Sequence, residues 1–283
     1  MAMQVTSRLP SAAANGRNGH SLISDDKFRQ LYALTLHLRA LARDDAASAS
    51  WLRGSEAILA AVAADLRASD VLVCPPAPSL GQELPRGVVV TVTDRFDDSL
   101  TQVLNAAVAA RLRKTGGIAV LFCAQPSHDP LLREACALAV QAKLPLLFIE
   151  RGIAENSGSW NKSSEVEWMP AIPVEVQDVV AIYRVAHESI TRARAGSGPT
   201  RIQCVPWAAP ANGRRSLAAS DAVAHLERWL IGRGLPAEQW RREVTAQMEQ
   251  NTSSAHQDSQ HSTDLPATNG SGNSTKRTPQ RLA

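Results

Sequence analysis

The sequence predicts an α/β protein with a mostly parallel sheet flanked by helices. Two observations carry that expectation. Short runs rich in Val, Ile and Leu recur along the chain, and amphipathic stretches long enough for several helical turns separate them. Strands spaced by helices of that length are joined by right-handed crossovers, which lay them parallel in one sheet.

The elements follow in order. Ser24 before Asp25 and Asp26 is an N-cap with acids in the first turn, where the helix dipole favours them. Phe28, Leu31, Leu34, Leu38 and Leu41 then recur at helical spacing as far as Arg43. Gly54 to Arg67 is a second, Ala-rich helix. The VLVC run at 71–74 is a strand, stopped by Pro75, Pro76 and Pro78. GVVVTVT at 87–93 is a continuous β-branched run that suits a strand buried on both faces. Asp98 to Lys114 is a helix, Gly117 to Cys123 a strand, Asp129 to Lys143 a helix, and residues 144–150 another strand. Asp178 to Ala195 is a long amphipathic helix and Thr200 to Val205 a strand. A helix capped by Ser220 reaches Ile231, and a last one follows Pro236.

Both termini stand apart. Residues 1–23 are small and polar with no acidic residue, and read as a disordered N-terminal tail rather than a targeting peptide, since no amphipathic helix is evident. Residues 248–283 contain no aromatic or β-branched aliphatic residue; such a segment buries too little apolar surface to offset its ordering entropy, so a disordered polar tail is expected. One α/β domain over 24–247 remains.

Composition narrows the functional classes. Thirty basic and 27 acidic residues give a net charge of +3, without the concentrated basic face a nucleic-acid binder needs. No apolar run reaches the roughly 20 residues of a membrane span. The four cysteines, at 74, 123, 136 and 204, have no zinc-like or disulfide-like spacing, which fits a reducing, cytoplasmic compartment.

In a parallel sheet, ligands lie beyond the carboxyl ends of the strands. Two strand ends are therefore of interest: Cys123 to Asp129, and Glu150 to Ile153. The first supplies the cleft candidates Cys123, Gln125, Ser127 and His128. A thiol, an imidazole and a carboxylate within seven residues suggest a nucleophile, but thiol catalysis needs a base within reach and a lowered thiol pKa. A buried strand-end cysteine before a helix capped by Asp129 accounts for the same residues. No Gly-x-Gly-x-x-Gly, P-loop or nucleophile-elbow pattern is present. No catalytic residue and no metal ligand is assigned. Elsewhere, Trp160, Trp168 and Trp207 fall in loop-like segments. Arg192, Arg194 and Arg201 read as a solvated helix end, and His37 and His187 as packing or surface residues.

Several of these residues carry a resemblance. The run from Ile118 to Phe148, with Glu134-Ala135, Ala139 and Lys143-Leu144-Pro145, resembles the cofactor-binding segment of the alpha subunit of thiamine-diphosphate-dependent 2-oxo-acid dehydrogenases. Asp178 to Tyr183, Gly198-Pro199-Thr200 and Leu226 to Leu235 are similar to that family's later helix, Gly-Pro-Thr turn and C-terminal helix. Gly54-Ser55-Glu56-Ala57 looks like its Gly-Gln-Glu-Ala. The resemblance covers most of 28–245, contracted between Ala77 and Leu104. It implies a thiamine-diphosphate-binding-like fold, thiamine diphosphate and magnesium as the family's cofactors, and a homo- or hetero-oligomer that can include a beta-type dehydrogenase subunit.

The departures set the functional expectation. The family's Gly-Asp-Gly falls on Cys123-Ala124-Gln125 and its ligand Asn on Ile153, so the two magnesium ligand positions are Ala124 and Ile153. A hard divalent cation wants oxygen ligands, which neither side chain offers. The family's Tyr-Arg falls on Pro76-Ala77, and its His-containing loop is replaced by the shorter, His-free run from Pro206 to Ser216. A diphosphate buried without metal or arginine is left uncompensated. The leading expectation is a divergent, shortened homologue without bound cofactor, acting as a noncatalytic scaffold or partner subunit. The alternatives are a working dehydrogenase subunit that performs oxidative decarboxylation with a beta subunit, and a repurposed small-molecule-binding protein.

Overall fold

The computed structural model describes residues 23–44, 50–77, 79–123, 130–152, 169, 171–206 and 221–263. Helix α1 runs Asp25–Asp44 and α2 Glu56–Ala63, after a 3₁₀ turn at Ser50–Leu52. Strand β1 (Val71–Cys74), the one-turn helix α3 (Leu80–Glu83), β2 (Val89–Val92) and α4 (Phe96–Arg113) follow. Then come β3 (Ala119–Cys123), α5 (Pro130–Gln141), β4 (Leu146–Arg151), β5 (Ala171–Glu175), α6 (Val179–Arg194), β6 (Thr200–Val205), α7 (Ala222–Gly232) and α8 (Ala237–Thr263).

All six strands are parallel, in the order β2-β1-β3-β4-β6-β5. The expected α/β architecture is therefore present. The order reverses between β1 and β3: the chain steps outward from β1 to β2, then crosses back to β3. In open parallel sheets the crevice that takes a ligand is expected at such a switch point, here beyond the carboxyl ends of β1 and β3.

The two faces of the sheet are covered differently. On one, all eight residues of α2 are buried, because its alanines let α1 and α6 approach closely. Burial of Ile58, Leu59 and Val62 there stabilises the fold by about 1.5–3 kcal/mol each. On the other face, α4 and α5 form a single layer over Ala119, Leu121, Leu146 and Phe148. Ser24 caps α1 as expected, its Oγ accepting from the Lys27 N–H at 3.2 Å. The cap of α7 is Asp221, one residue beyond the expected Ser220, and its carboxylate accepts from the Ala224 N–H at 3.0 Å.

Three expectations need correction. The run 87–93 gives the edge strand β2, with Val89 54% and Val92 48% exposed, not a strand buried on both faces. An apolar β-branched run reports strand propensity, and cannot tell a central strand from an edge that only the one-turn α3 covers. The edge strand β5 has no counterpart in the sequence reading, because Pro173 argues against a strand; at an edge, a proline's missing N–H costs no ladder bond. The second helix spans 56–63, shorter than the expected 54–67.

The chain divides into two compact units, the first ending at Arg241 and holding the whole sheet. In the second, α8 is helical as far as Thr263 and so covers the first part of the segment 248–283 that was expected to be a tail. Residues 1–22 and 264–283, in the two expected tails, lie outside the described residues.

Candidate functional site at the carboxyl ends of the strands

The register of β3, β4 and β6 places Cys123, Glu150 and Gln203 side by side. They form one rung on the face that α4 and α5 cover. Arg201 lies two residues below Gln203 on the same face, because side chains alternate along a strand. Its guanidinium donates to both Glu150 oxygens, at 3.2 and 2.9 Å, and the Gln203 amide donates to Oε2 at 3.1 Å. Glu150 is 1% exposed, and Arg201 and Gln203 are 4% exposed. A charge this deep persists only when it is paired and hydrogen-bonded. The Arg201 Nε is buried without a hydrogen-bond partner among the described residues.

Cys123 ends β3 beside this trio and is buried. Burial pushes its thiol well above the usual range, and the Glu150 carboxylate adds to that push. Cys136, on α5, is raised by burial to about 12. A reactive thiol needs the opposite shift, so the environment of Cys123 disfavours the thiolate.

The other face of the sheet holds a second charged group. The Trp51 indole donates to the Pro76 carbonyl at 2.8 Å and packs on Phe122 with ring centroids 5.1 Å apart. It thus bridges the ends of β1 and β3 at the switch point. Arg151, the last residue of β4, reaches the Trp51 carbonyl at 3.3 Å and the Ser55 hydroxyl at 3.4 Å. Its guanidinium lies against Gly54, where a Cβ would come within 2.9 Å of Nη2; Gly54 also sits at φ 76°, in the region that favours glycine. Burial lowers the Arg151 pKa, with the nearby Glu56 carboxylate opposing it. Glu56 is 4% exposed and accepts from Arg39 Nε at 3.1 Å. The rest of the Arg39 fork grips Asp221 at 2.8 and 3.2 Å. Burial works to raise the Asp221 carboxyl, but the Arg39 hydrogen bond and the α7 N–H groups outweigh it and hold the pKa below the usual range.

Of the sequence-based candidates, only Cys123 lies among the described residues. Gln125, Ser127 and His128 fall outside them, as do Ala124, Ile153, Trp160, Trp168 and Trp207. Pro76 and Ala77 are described: one lends its carbonyl to Trp51, and the other is buried. Sequence reasoning marked the strand end holding Glu150 and Arg151 but gave neither a role, and it missed Gln203 and Arg39. The available signal was a carboxylate ending the apolar run LPLLFIE opposite polar residues in TRIQCV. Arg201, expected at a solvated helix end, is instead a buried strand residue; β6 begins at Thr200 and turns it inward. Arg194 is also held, by Asp70. His37 pairs with Glu83 at 2.7 Å, and His187 with Asp65. Among the described residues, no three His, Cys, Asp or Glu side chains are grouped so as to hold a metal ion, and no helix is long and apolar enough to cross a membrane.

No protein-family model matches the chain. It is 28% identical over 123 residues to the alpha subunit of acetoin:2,6-dichlorophenolindophenol oxidoreductase from Bacillus subtilis, covering 38% of this chain and 35% of the relative. It is 33% identical over 84 residues to the pyruvate dehydrogenase E1 component subunit alpha of Porphyra purpurea, covering 26% and 24%. The matched stretches thus span about a third or less of these relatives. A solved structure of a candidate thiamin diphosphate-dependent enzyme from Mycobacterium smegmatis superposes with a TM-score of 0.40 at 14% identity, covering 54% of this chain and 32% of that one, too loosely to bear on function. Across the stretches it shares with its relatives, the chain is similar to the alpha subunits of acetoin oxidoreductases and pyruvate dehydrogenases.

Proposed function

We propose that the chain is a noncatalytic scaffold or partner subunit, which assembles with copies of itself or with a beta-type dehydrogenase subunit and binds no thiamine diphosphate. The observation that carries this reading is the engagement of the arginines whose side chains reach toward the carboxyl ends of the strands. Arg201 is committed to Glu150, Arg39 to Glu56 and Asp221, and Arg151 to the Trp51 carbonyl and Ser55. A diphosphate entering there would have to displace buried carboxylates from their partners, which costs several kcal/mol per uncompensated charge. The positions aligned with the magnesium ligands, Ala124 and Ile153, supply no side-chain oxygen, so these side chains do not fit the cofactor's metal. The paired network supports a structural role for this end of the sheet, and a cytoplasmic setting fits four free cysteines.

The relatives' names favour a second reading, a working subunit of an acetoin or 2-oxo-acid dehydrogenase. A reconstitution assay separates the two. The chain is mixed with a beta-type subunit, thiamine diphosphate, magnesium and an artificial electron acceptor, and dye reduction with acetoin or pyruvate is followed. The scaffold reading expects no turnover above the beta subunit alone. Turnover that depends on this chain contradicts it.

A further inference from the structure

Away from the paired arginines, a groove of about 630 Å³ runs between α6, the edge strand β5 and the amino ends of β4 and β6. Its floor is apolar, with Val185, Ile172 and Pro199, and its rim carries Lys143, Arg184 and Arg192. Among the described residues the lining carries one carboxylate, Glu188. All three cations are exposed, and none has an ion-pair partner among the described residues. Lys143 is fixed at its backbone: it takes a left-handed conformation at φ 48°, and its carbonyl accepts from Arg111 at 2.8 Å. The groove is thus cationic, and apolar underneath.

The spacing of the charges selects the ligand. Arg184 and Arg192 are eight residues apart on one helix, which separates them by about 12 Å along its axis. One phosphate or carboxylate cannot bridge that span from the axis positions. An extended chain rising about 3.3 Å per residue crosses it in four residues, with alternate side chains facing the groove. Ile172, 40% exposed on the free edge of the sheet, offers an apolar contact between the charges.

The geometry points to this groove as the docking site for an extended acidic segment of a partner protein, in which carboxylates meet Lys143, Arg184 and Arg192 while an interposed apolar side chain sits on Ile172 and Val185. Complementary charge sets the specificity and association rate of such a contact, and the apolar floor adds affinity.

The test uses the full-length chain and a fluorescein-labelled ten-residue peptide alternating glutamate and leucine, read by anisotropy at low ionic strength. A second peptide carries glutamine at every glutamate. Saturable binding of the acidic peptide is expected, weaker by at least about tenfold for the glutamine peptide and for the R184A/R192A double variant. Removing the same charge from the end of α4, in R113A/K114A, weakens binding less than R184A/R192A does, since those charges act on the groove only through space. Both arginines of the first variant are exposed and have no ion-pair partner among the described residues, so its unfolding midpoint stays at the parent value. Absence of binding, equal binding of both peptides or equal weakening in the two double variants overturns the proposal. So does full displacement by inorganic phosphate at matched ionic strength, which would make the groove a small-anion site.

Discussion

Two regions of the first unit carry arginine in opposite ways. Toward the carboxyl ends of the strands, the side chains of Arg39, Arg151 and Arg201 are turned to the protein's own acceptors, and Glu150 and Glu56 are almost wholly buried. Along α6 and β5, Arg184, Arg192 and Lys143 face the open groove without ion-pair partners among the described residues. Burial makes the difference. A charge inside the sheet must be paired, whereas one on a rim is satisfied by water until a ligand displaces it. The first arrangement holds the fold and the second leaves charge available for binding.

The strongest way to break this comparison is to unpair the buried group. Glu150→Leu leaves Arg201 uncompensated, and Arg201→Met leaves Glu150 so; each is expected to lower unfolding free energy by about 3–5 kcal/mol in urea titrations. The double variant E150L/R201M removes both charges and is expected to recover most of that loss. Additive losses would show that the pair contributes by packing alone.

Of intermediate size is the effect of Gly54→Ala. The added Cβ meets the Arg151 guanidinium at 2.9 Å, and the backbone holds φ 76°. A loss of about 1–2 kcal/mol is expected from the left-handed conformation. R151A/G54A relieves only the contact, so most of the loss persists if backbone strain dominates.

A pH test sharpens the comparison in a third place. Burial works to raise the Asp65 carboxyl, but hydrogen bonds from His187 and Lys27 outweigh it and hold its pKa below the ordinary range. A depressed folded-state pKa contributes stability that is present above the unfolded value, about 3.9, and is lost as pH falls through the folded one. Asp65→Asn should therefore destabilise the protein at pH 7 and flatten the acid limb of its stability profile. An unchanged acid limb would remove Asp65 from the account.

The smallest effect belongs to the edge. Val92→Thr, at a half-exposed position of β2, should change stability by less than about 0.5 kcal/mol in thermal melts.

These residues also mark how far the fold and the site could be read from sequence. Most strands and helices were legible because their periodicity is local: Phe28 to Leu41 shows α1, and VLVC shows β1. Strand order was not, so Val89 and Val92 were expected in the interior, and Pro173 hid β5. The buried trio was harder still. Glu150 and Arg201 are 51 residues apart and meet only through the β4–β6 register. Cys123 was visible as a strand-end thiol, but the upward push on its pKa depends on burial and on Glu150, both properties of tertiary structure.

The central claim is that the carboxyl-end crevice is closed by the protein's own pairs and takes no thiamine diphosphate. Isothermal titration of the full-length chain with thiamine diphosphate, with and without magnesium, tests it most directly. The account predicts no saturable heat in either case. Micromolar, magnesium-dependent binding would contradict it.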